Sequence, residues 1–141
     1  MADDGSDFAR SMSIATSGLR AQAGRMRVIS ENIANADSTA PTAGGNPYRR
    51  KVPTFSSALD RTLDARVVTL GKVRTDQSVF RVKHEPSNPA ADAAGNVKYP
   101  NVNPLIEMTD MREAQRSYEA NLNIISATRR MIQRTLDILK A

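Results

Sequence analysis

Few residues in this chain have the type and spacing that chemistry needs. There is one histidine, His84, and no cysteine among 141 residues. Thiolate metal sites, cysteine nucleophiles and disulfide frameworks are therefore excluded, and so is a multi-histidine zinc site within one chain. His84 sits beside Glu85 in a strand-like run and reads as a packed or surface residue rather than a general base. The glycines in Thr42-Ala43-Gly44-Gly45-Asn46 lack the spacing and the Lys-Ser/Thr pair of a phosphate loop. Asp92-Ala93-Ala94-Gly95-Asn96 lacks the alternating acidic ligands and closing Glu of a calcium loop, and reads as a turn. Glu31 and Glu107 have no evident partner carboxylate for acid–base work. Asn32 and Asn35 are capping or turn residues at a helix end. No catalytic, cofactor-binding or metal-binding residue is expected, no cofactor is implied, and the chain is read as not an enzyme.

The elements that would position any site have a plain pattern. From Phe8 to Ile33, apolar residues recur in steps of three and four: Phe8, Met12, Ala15, Leu19, Gln22, Met26, Ile29 and Ile33. That is the 3.5-residue repeat of a coiled-coil seam. Gly18 and Gly24 weaken the helix by roughly 1 kcal/mol each relative to Ala, so it needs a partner. The pattern returns at the other end in Met108, Met111, Gln115, Tyr118, Leu122, Ile125, Arg129, Ile132, Leu136 and Leu139. A second apolar row there, Ile124, Ala127, Met131 and Ile138, exceeds what one partner helix can cover.

Between these ends the composition changes. Residues 37–47 are rich in Ser, Thr, Gly, Pro and Ala and read as a loop. "YRRKVPTFSSAL", "RVVTLGKV" and "QSVFRVKHE" read as about three short strands. A proline-rich stretch with a Gly95-Asn96 turn follows. The expected fold is mainly α with a small β part: long N- and C-terminal helices pair antiparallel as a coiled-coil-like hairpin around a β-rich subdomain. Residues 1–36 plus 105–141 form the helical assembly domain, and 37–104 the loop and β-rich subdomain. Helices of roughly 40–50 Å follow from about 26–32 residues at 1.5 Å each. Such pairing sets Asp3, Asp4 and Asp7 near Arg129, Arg130, Arg134 and Lys140, favourable for both helix dipoles.

With three Phe, three Tyr and no Trp, a compact aromatic core is not available. The net charge of +5 raises a nucleic-acid partner, but the cations are scattered among acids. The densest clusters, Arg49-Arg50-Lys51 and Arg129-Arg130 with Arg134, read as solvated faces. A basic helical nucleic-acid-binding protein or a coiled-coil adaptor is the alternative reading. No window is long enough and apolar enough for a membrane span. "MADDGSDFAR" has no apolar core of a signal peptide, so if the chain leaves the cytoplasm it is expected to do so without a cleaved secretory signal.

The stretches singled out are familiar together. "SGLRAQAGRMRVISENIANADST", "NPYRRKVPTF" and "NPAADAAGNVKYPNVNPLIEMTDMREAQRSYEANLNII" resemble the bacterial flagellar basal-body rod proteins over nearly the whole chain. The S-G-L-x-A-Q…N-I-A-N run is similar to the N-terminal signature shared by rod, hook and hook-associated proteins. D-A-x-G-x-V-x-Y-P-N-V followed by E-M…R-x-Y-x-A-N resembles the proximal-rod member of that family. The resemblance implies an inner domain of terminal helices with a small β-rich middle facing outward. It implies a structural subunit of the periplasmic rod that transmits torque from motor to hook. It further implies export through the flagellar type III apparatus, and as partners other copies of the chain, other rod proteins and rod-base proteins.

Physical reasoning places assembly on the apolar seam: Leu19, Met26, Ile29, Ile33, Met111, Tyr118, Leu122, Ile125 and Ile132. Subunits that offer different faces to one another build an open helical array. Asn32 and Asn35 are expected to bond to backbone and to mark the hinge between helices and β-rich segment.

Overall fold

The computed structural model describes residues 4–140, with the side chain of Asp4 left aside. Two long helices flank six short strands. Helix α1 spans Asp4–Ala34 and helix α2 spans Pro104–Lys140, of 31 and 37 residues. At 1.5 Å per residue they measure about 46 and 55 Å, so α2 exceeds the length read from the sequence. The strands are β1 (Lys51–Val52), β2 (Phe55–Asp60), β3 (Ala65–Leu70), β4 (Arg74–Thr75), β5 (Arg81–His84) and β6 (Asn96–Tyr99). They form three two-stranded antiparallel sheets, β1–β4, β2–β3 and β5–β6.

The sequence reading of three strands is thus corrected to six. Pro53 divides "YRRKVPTFSSAL" into β1 and β2, because a proline nitrogen cannot donate to a ladder. Gly71 likewise separates β3 from β4. The stretch after Gly95, read as turn and loop, carries β6. Its side chains alternate, with Val97 and Tyr99 buried between half-buried Asn96 and Lys98. The turn itself is present: Asp92 Oδ1 accepts from the amides of Ala94 and Asn96, both at 2.9 Å, and Gly95 adopts φ +78°.

The helix ends are defined by side chains. Asn103 Oδ1 accepts from the Leu105 amide at 3.1 Å, and Pro104 takes the first helical position, where its missing N–H costs nothing. At the end of α1, Asn35 donates from Nδ2 to Glu31 O at 2.9 Å, alongside its own amide at 3.1 Å. Among the described residues Asp64 alone of the non-glycines has positive φ. α1 therefore ends through side-chain bonding and not through a left-handed asparagine.

The chain divides into two compact units that cut across the helices. The first holds residues 1–26, 54–71 and 113–141. Here the helices pair antiparallel: Gly18 meets Asn121, and Arg25 Nη2 pairs with Glu113 at 3.4 Å. The buried positions are Ala15, Ala21, Ala114 and Thr128, all small. The β2–β3 hairpin lies on another side of α1, with Leu70 against Gly24, Ser17 Oγ accepting the Val68 amide and Arg10 Nε donating to Leu63 O. The second unit holds residues 27–53 and 72–112. Its apolar cluster is Ala90, Val97 and Tyr99, with Val28, Ile29 and Val102 also buried.

The acid–base pairing expected across the helix ends is not what Asp7 does. Its partner is Arg10 on its own helix, at 3.3 Å. Asp3 lies outside the described residues, as does the Asp4 side chain.

Candidate assembly site

The seam that holds α1 to α2 differs from the one drawn by hydrophobicity. On α2 the inward row is Glu107, Met111, Ala114, Tyr118, Asn121, Ile125, Thr128 and Ile132, each buried or half-buried. Met111, Tyr118, Ile125 and Ile132 are the expected seam positions. The alternate positions fall one residue earlier than expected: Glu107, Ala114, Asn121 and Thr128 replace Met108, Gln115, Leu122 and Arg129, all four of which are exposed. The physical reason is closeness. With Gly18 on α1 and small residues opposite, the backbones approach too tightly for Leu or Met in the centre. On α1, Ile29 is buried, while Leu19, Met26 and Ile33 are half-buried flanking positions. Gln22 sits in the seam with its Oε1 buried and without a hydrogen-bond partner.

Large apolar side chains consequently face outward along α2. Leu105, Ile106 and Met108 are exposed near its start, and Leu122, Ile124, Met131, Leu136, Ile138 and Leu139 along the rest. Leu122 is 46% exposed and Ile138 76%. In the first unit Ile14 and Ile124 line an open groove of about 400 Å³ together with Asp7, Arg10, Ser11, Ala15 and Asn121. No helix is long and apolar enough to cross a membrane, among the described residues.

The second unit contains a polar centre that the sequence reading missed. Asn32 is fully buried and uses all four of its hydrogen-bonding positions. Its Nδ2 donates to Lys51 O at 2.8 Å and to Glu107 Oε2 at 3.1 Å. Its Oδ1 accepts from the Tyr48 hydroxyl at 2.8 Å and from the Lys51 amide at 2.9 Å. Glu107, 1% exposed, also accepts from Arg50 Nε at 2.6 Å. Arg50 approaches Asp76 at 3.7 Å and Asp110 at 3.8 Å, and its amide donates to Asn101 Oδ1 at 2.8 Å. Lys51 pairs with Glu31. The Tyr48 hydroxyl is pushed up to about 12, by burial first and then by the carboxylates of Glu31 and Glu107. Asp76 is held below its ordinary range, mainly by the Ser78 amide and hydroxyl and then by Arg50 and Arg49.

Asn32 and Asn35 thus both make the expected bonds to backbone. The reading of Arg49-Arg50-Lys51 as a solvated face is overturned. All three are half-buried and engaged, with Arg49 stacked 4.1 Å from the Phe80 ring centroid and its Nη1 donating to the carbonyls of Asp76 and Ser78. The sequence carried no signal for the centre, because Glu107 lies one residue off the heptad phase that hydrophobicity selects on α2. His84 is exposed, with Nδ1 3.3 Å from Asn96 Oδ1. Among the described residues, no group of three His, Cys, Asp or Glu is placed to hold a metal ion.

Comparison with known proteins fits these features. A family described as flagella basal body rod protein matches residues 12–40. A second, described as flagellar basal body rod FlgEFG protein C-terminal, matches residues 93–138. The flagellar basal-body rod protein FlgC of Agrobacterium fabrum is 54% identical over 91% of this chain and 92% of its own length. FlgC of Bacillus subtilis is 39% identical over 92% of this chain and 97% of its own. FlgC of Aquifex aeolicus is 38% identical over 95% and 98%. The matched segments contain Asn32 on one side and Glu107 with the exposed α2 row on the other, and the chain belongs to the FlgC family of flagellar basal-body rod proteins.

Proposed function

We propose that this structural rod subunit assembles helically, with copies of itself and with other rod and rod-base proteins, into the proximal rod that transmits torque from motor to hook. The observation that carries the reading is the large apolar side chains left uncovered on α2 in two rows, one with Leu122, Leu136 and Leu139 and one with Ile124, Met131 and Ile138. Covering apolar surface contributes about 25 cal/mol per Å². A row along one helix that its own partner does not reach is best covered by the next subunit. The contact is heterologous and propagates as an open helical array.

Within this reading, residues 1–36 plus 105–141 are the assembly domain and 37–104 the outward β-rich part. Asn32 and Asn35 form the hinge where the chain leaves the helices. Leu122 is the interface position best supported by its exposure. Leu19, Met26, Ile33, Met111, Tyr118, Ile125 and Ile132, with buried Ile29, hold the helix pair whose outer surface the neighbours meet. The subunit works in the periplasm, reaches it through the flagellar type III export apparatus, and carries out no catalysis. The engagement of Arg49, Arg50 and Lys51 with Phe80, Glu107 and Glu31 argues against the nucleic-acid alternative, because these cations already have partners in the chain.

Complementation of cells that lack their own copy of the subunit tests the proposal. Leu122→Asp should abolish swimming and remove the chain from purified basal bodies, while the purified variant keeps its far-UV circular dichroism. Swimming cells carrying Leu122→Asp would overturn this assignment of the interface.

A further inference from the structure

We infer that β2 is a docking edge for the same strand of a second copy of this chain, added antiparallel and centred on Ser57. The bonding of the β2–β3 hairpin shows which backbone groups are left over. The Gly71 amide donates to Thr54 O at 2.7 Å, and the Val68 amide turns away from β2 to Ser17 Oγ at 3.2 Å. The register pairs Phe55 with Leu70, Ser57 with Val68 and Leu59 with Arg66. The N–H and C=O groups of Phe55, Ser57 and Leu59 therefore point away from β3. Among the described residues, no group of the chain bonds to them. The far edge of β3 meets α1 through Ser17, so β2 is the open edge of its sheet. The other strands are short or blunted. β1 and β4 have two residues each, and β5 carries Arg81 and Lys83 and runs toward Pro86. Charge and proline on an edge are how sheets avoid pairing with other chains. The first five residues of β2, Phe-Ser-Ser-Ala-Leu, have neither and are all exposed, Phe55 at 44% and Leu59 at 57%.

The strand is complementary to itself. Outward groups must meet outward groups. One register matches all three on each strand: Phe55 opposite Leu59 of the second copy, Ser57 opposite its Ser57, and Leu59 opposite its Phe55. Each pair exchanges two bonds, so three pairs make about six. A shift of two residues keeps two of the three pairs and turns Pro53, which has no N–H, or Arg61 toward the partner. Residues two apart share a face, so Phe55 and Leu59 of opposite copies meet twice on one face, with the two serines between them. Asp60 is the one charge in the strand. It falls at opposite ends of the pair, about 20 Å from its copy, so like charges do not meet. The contact closes on itself and joins two copies, whereas the rows on α2 propagate. An edge of six residues buries less than the roughly 1,200 Å² at which specific interfaces begin, so the pair forms transiently in dilute solution and is best read by trapping.

Disulfide trapping between full-length chains tests this. The chain has no cysteine, so an introduced one reports without background. In the proposed pair the Cα atoms of the two Ser57 residues lie about 5.5 Å apart, within reach of a disulfide. Arg61, exposed just beyond the strand, lies about 27 Å from its copy and measures random collision on the same hairpin. Under mild oxidation at equal concentration, S57C should form disulfide dimers at least tenfold faster than R61C. S57C/L59K and S57C/F55K each set a charge on the open edge and leave the backbone bonds to β3 in place. Both should fall to the R61C rate at unchanged far-UV circular dichroism. The readout does not use α2, so it stands or falls apart from assembly on that helix. S57C that traps no faster than R61C, the result if this edge serves a different chain, overturns the inference. So does a folded S57C/L59K or S57C/F55K that keeps the S57C rate.

Discussion

Truncating Asn32 should be far more damaging than truncating Asn35, although the two residues are three apart at the same helix end. Asn32→Ala deletes two bonds with the backbone of Lys51, one from Tyr48 and one to the Glu107 carboxylate. A neutral bond contributes about 1 kcal/mol net and a bond to a charged group about 1.5–3, for a gross loss of roughly 5 kcal/mol. Lys51 and Tyr48 are half-buried and recover part of theirs from water, whereas Glu107 at 1% exposure recovers little. The expected net destabilisation is about 3 kcal/mol. Asn35→Ala deletes one side-chain bond, to Glu31 O, from a half-buried position, at a cost of about 0.5–1 kcal/mol. Urea unfolding of the full-length chain separates the two. With a slope of about 2 kcal/mol per molar, the midpoint should fall by roughly 1.5 M for Asn32→Ala and by less than about 0.5 M for Asn35→Ala. Equal shifts, or a shift under about 0.5 M for Asn32→Ala, would show that the buried centre does not hold the fold as described.

Three further outcomes are expected. Ile125→Asp, at a half-buried inward position, should lower the unfolding midpoint of the purified chain, whereas Leu122→Asp should leave it within about 0.5 kcal/mol; equal effects on the free chain would contradict the one-residue phase shift of the seam. Tyr48 is raised above the usual tyrosine value to about 12, so its neutral form is the one the fold favours. Its contribution is complete below about pH 10 and is lost as pH rises toward 12, so an ultraviolet titration should show Tyr48 ionising together with loss of structure. Tyr48→Phe should remove that late step. Gly95→Ala forces a side chain onto φ +78° and brings a Cβ within 2.9 Å of His84 Cε1, so it should cost about 1–2 kcal/mol, while Gly5→Ala, with open space around it, should be neutral or stabilising. Thermal unfolding of both variants checks the contrast.

The sequence by itself determined the two helices, their antiparallel pairing and the surplus of apolar side chains on α2. These follow from local periodicity, which survives without knowledge of any neighbour. It also determined the turn at Asp92–Gly95, because an Asx turn and a left-handed glycine are written within five residues. Only the tertiary structure decided which face of α2 turns inward. Hydrophobicity chose Gln115 and Leu122 as steps of the seam, and the fold turned Ala114 and Asn121 inward instead, with Asn121 against Gly18. Strand pairing was also decided there, since β6 finds its partner in β5 across a proline-rich segment and β1 finds its partner in β4 beyond a whole hairpin. The polar centre is the deepest case. Asn32, Tyr48, Arg50 and Glu107 lie up to 75 positions apart, and locally Asn32 reads as a cap, Arg50 as a solvated base and Glu107 as a charge without a partner. Their meaning depends on burial, which removes water as an alternative partner and makes each bond to a distant residue one the fold cannot do without.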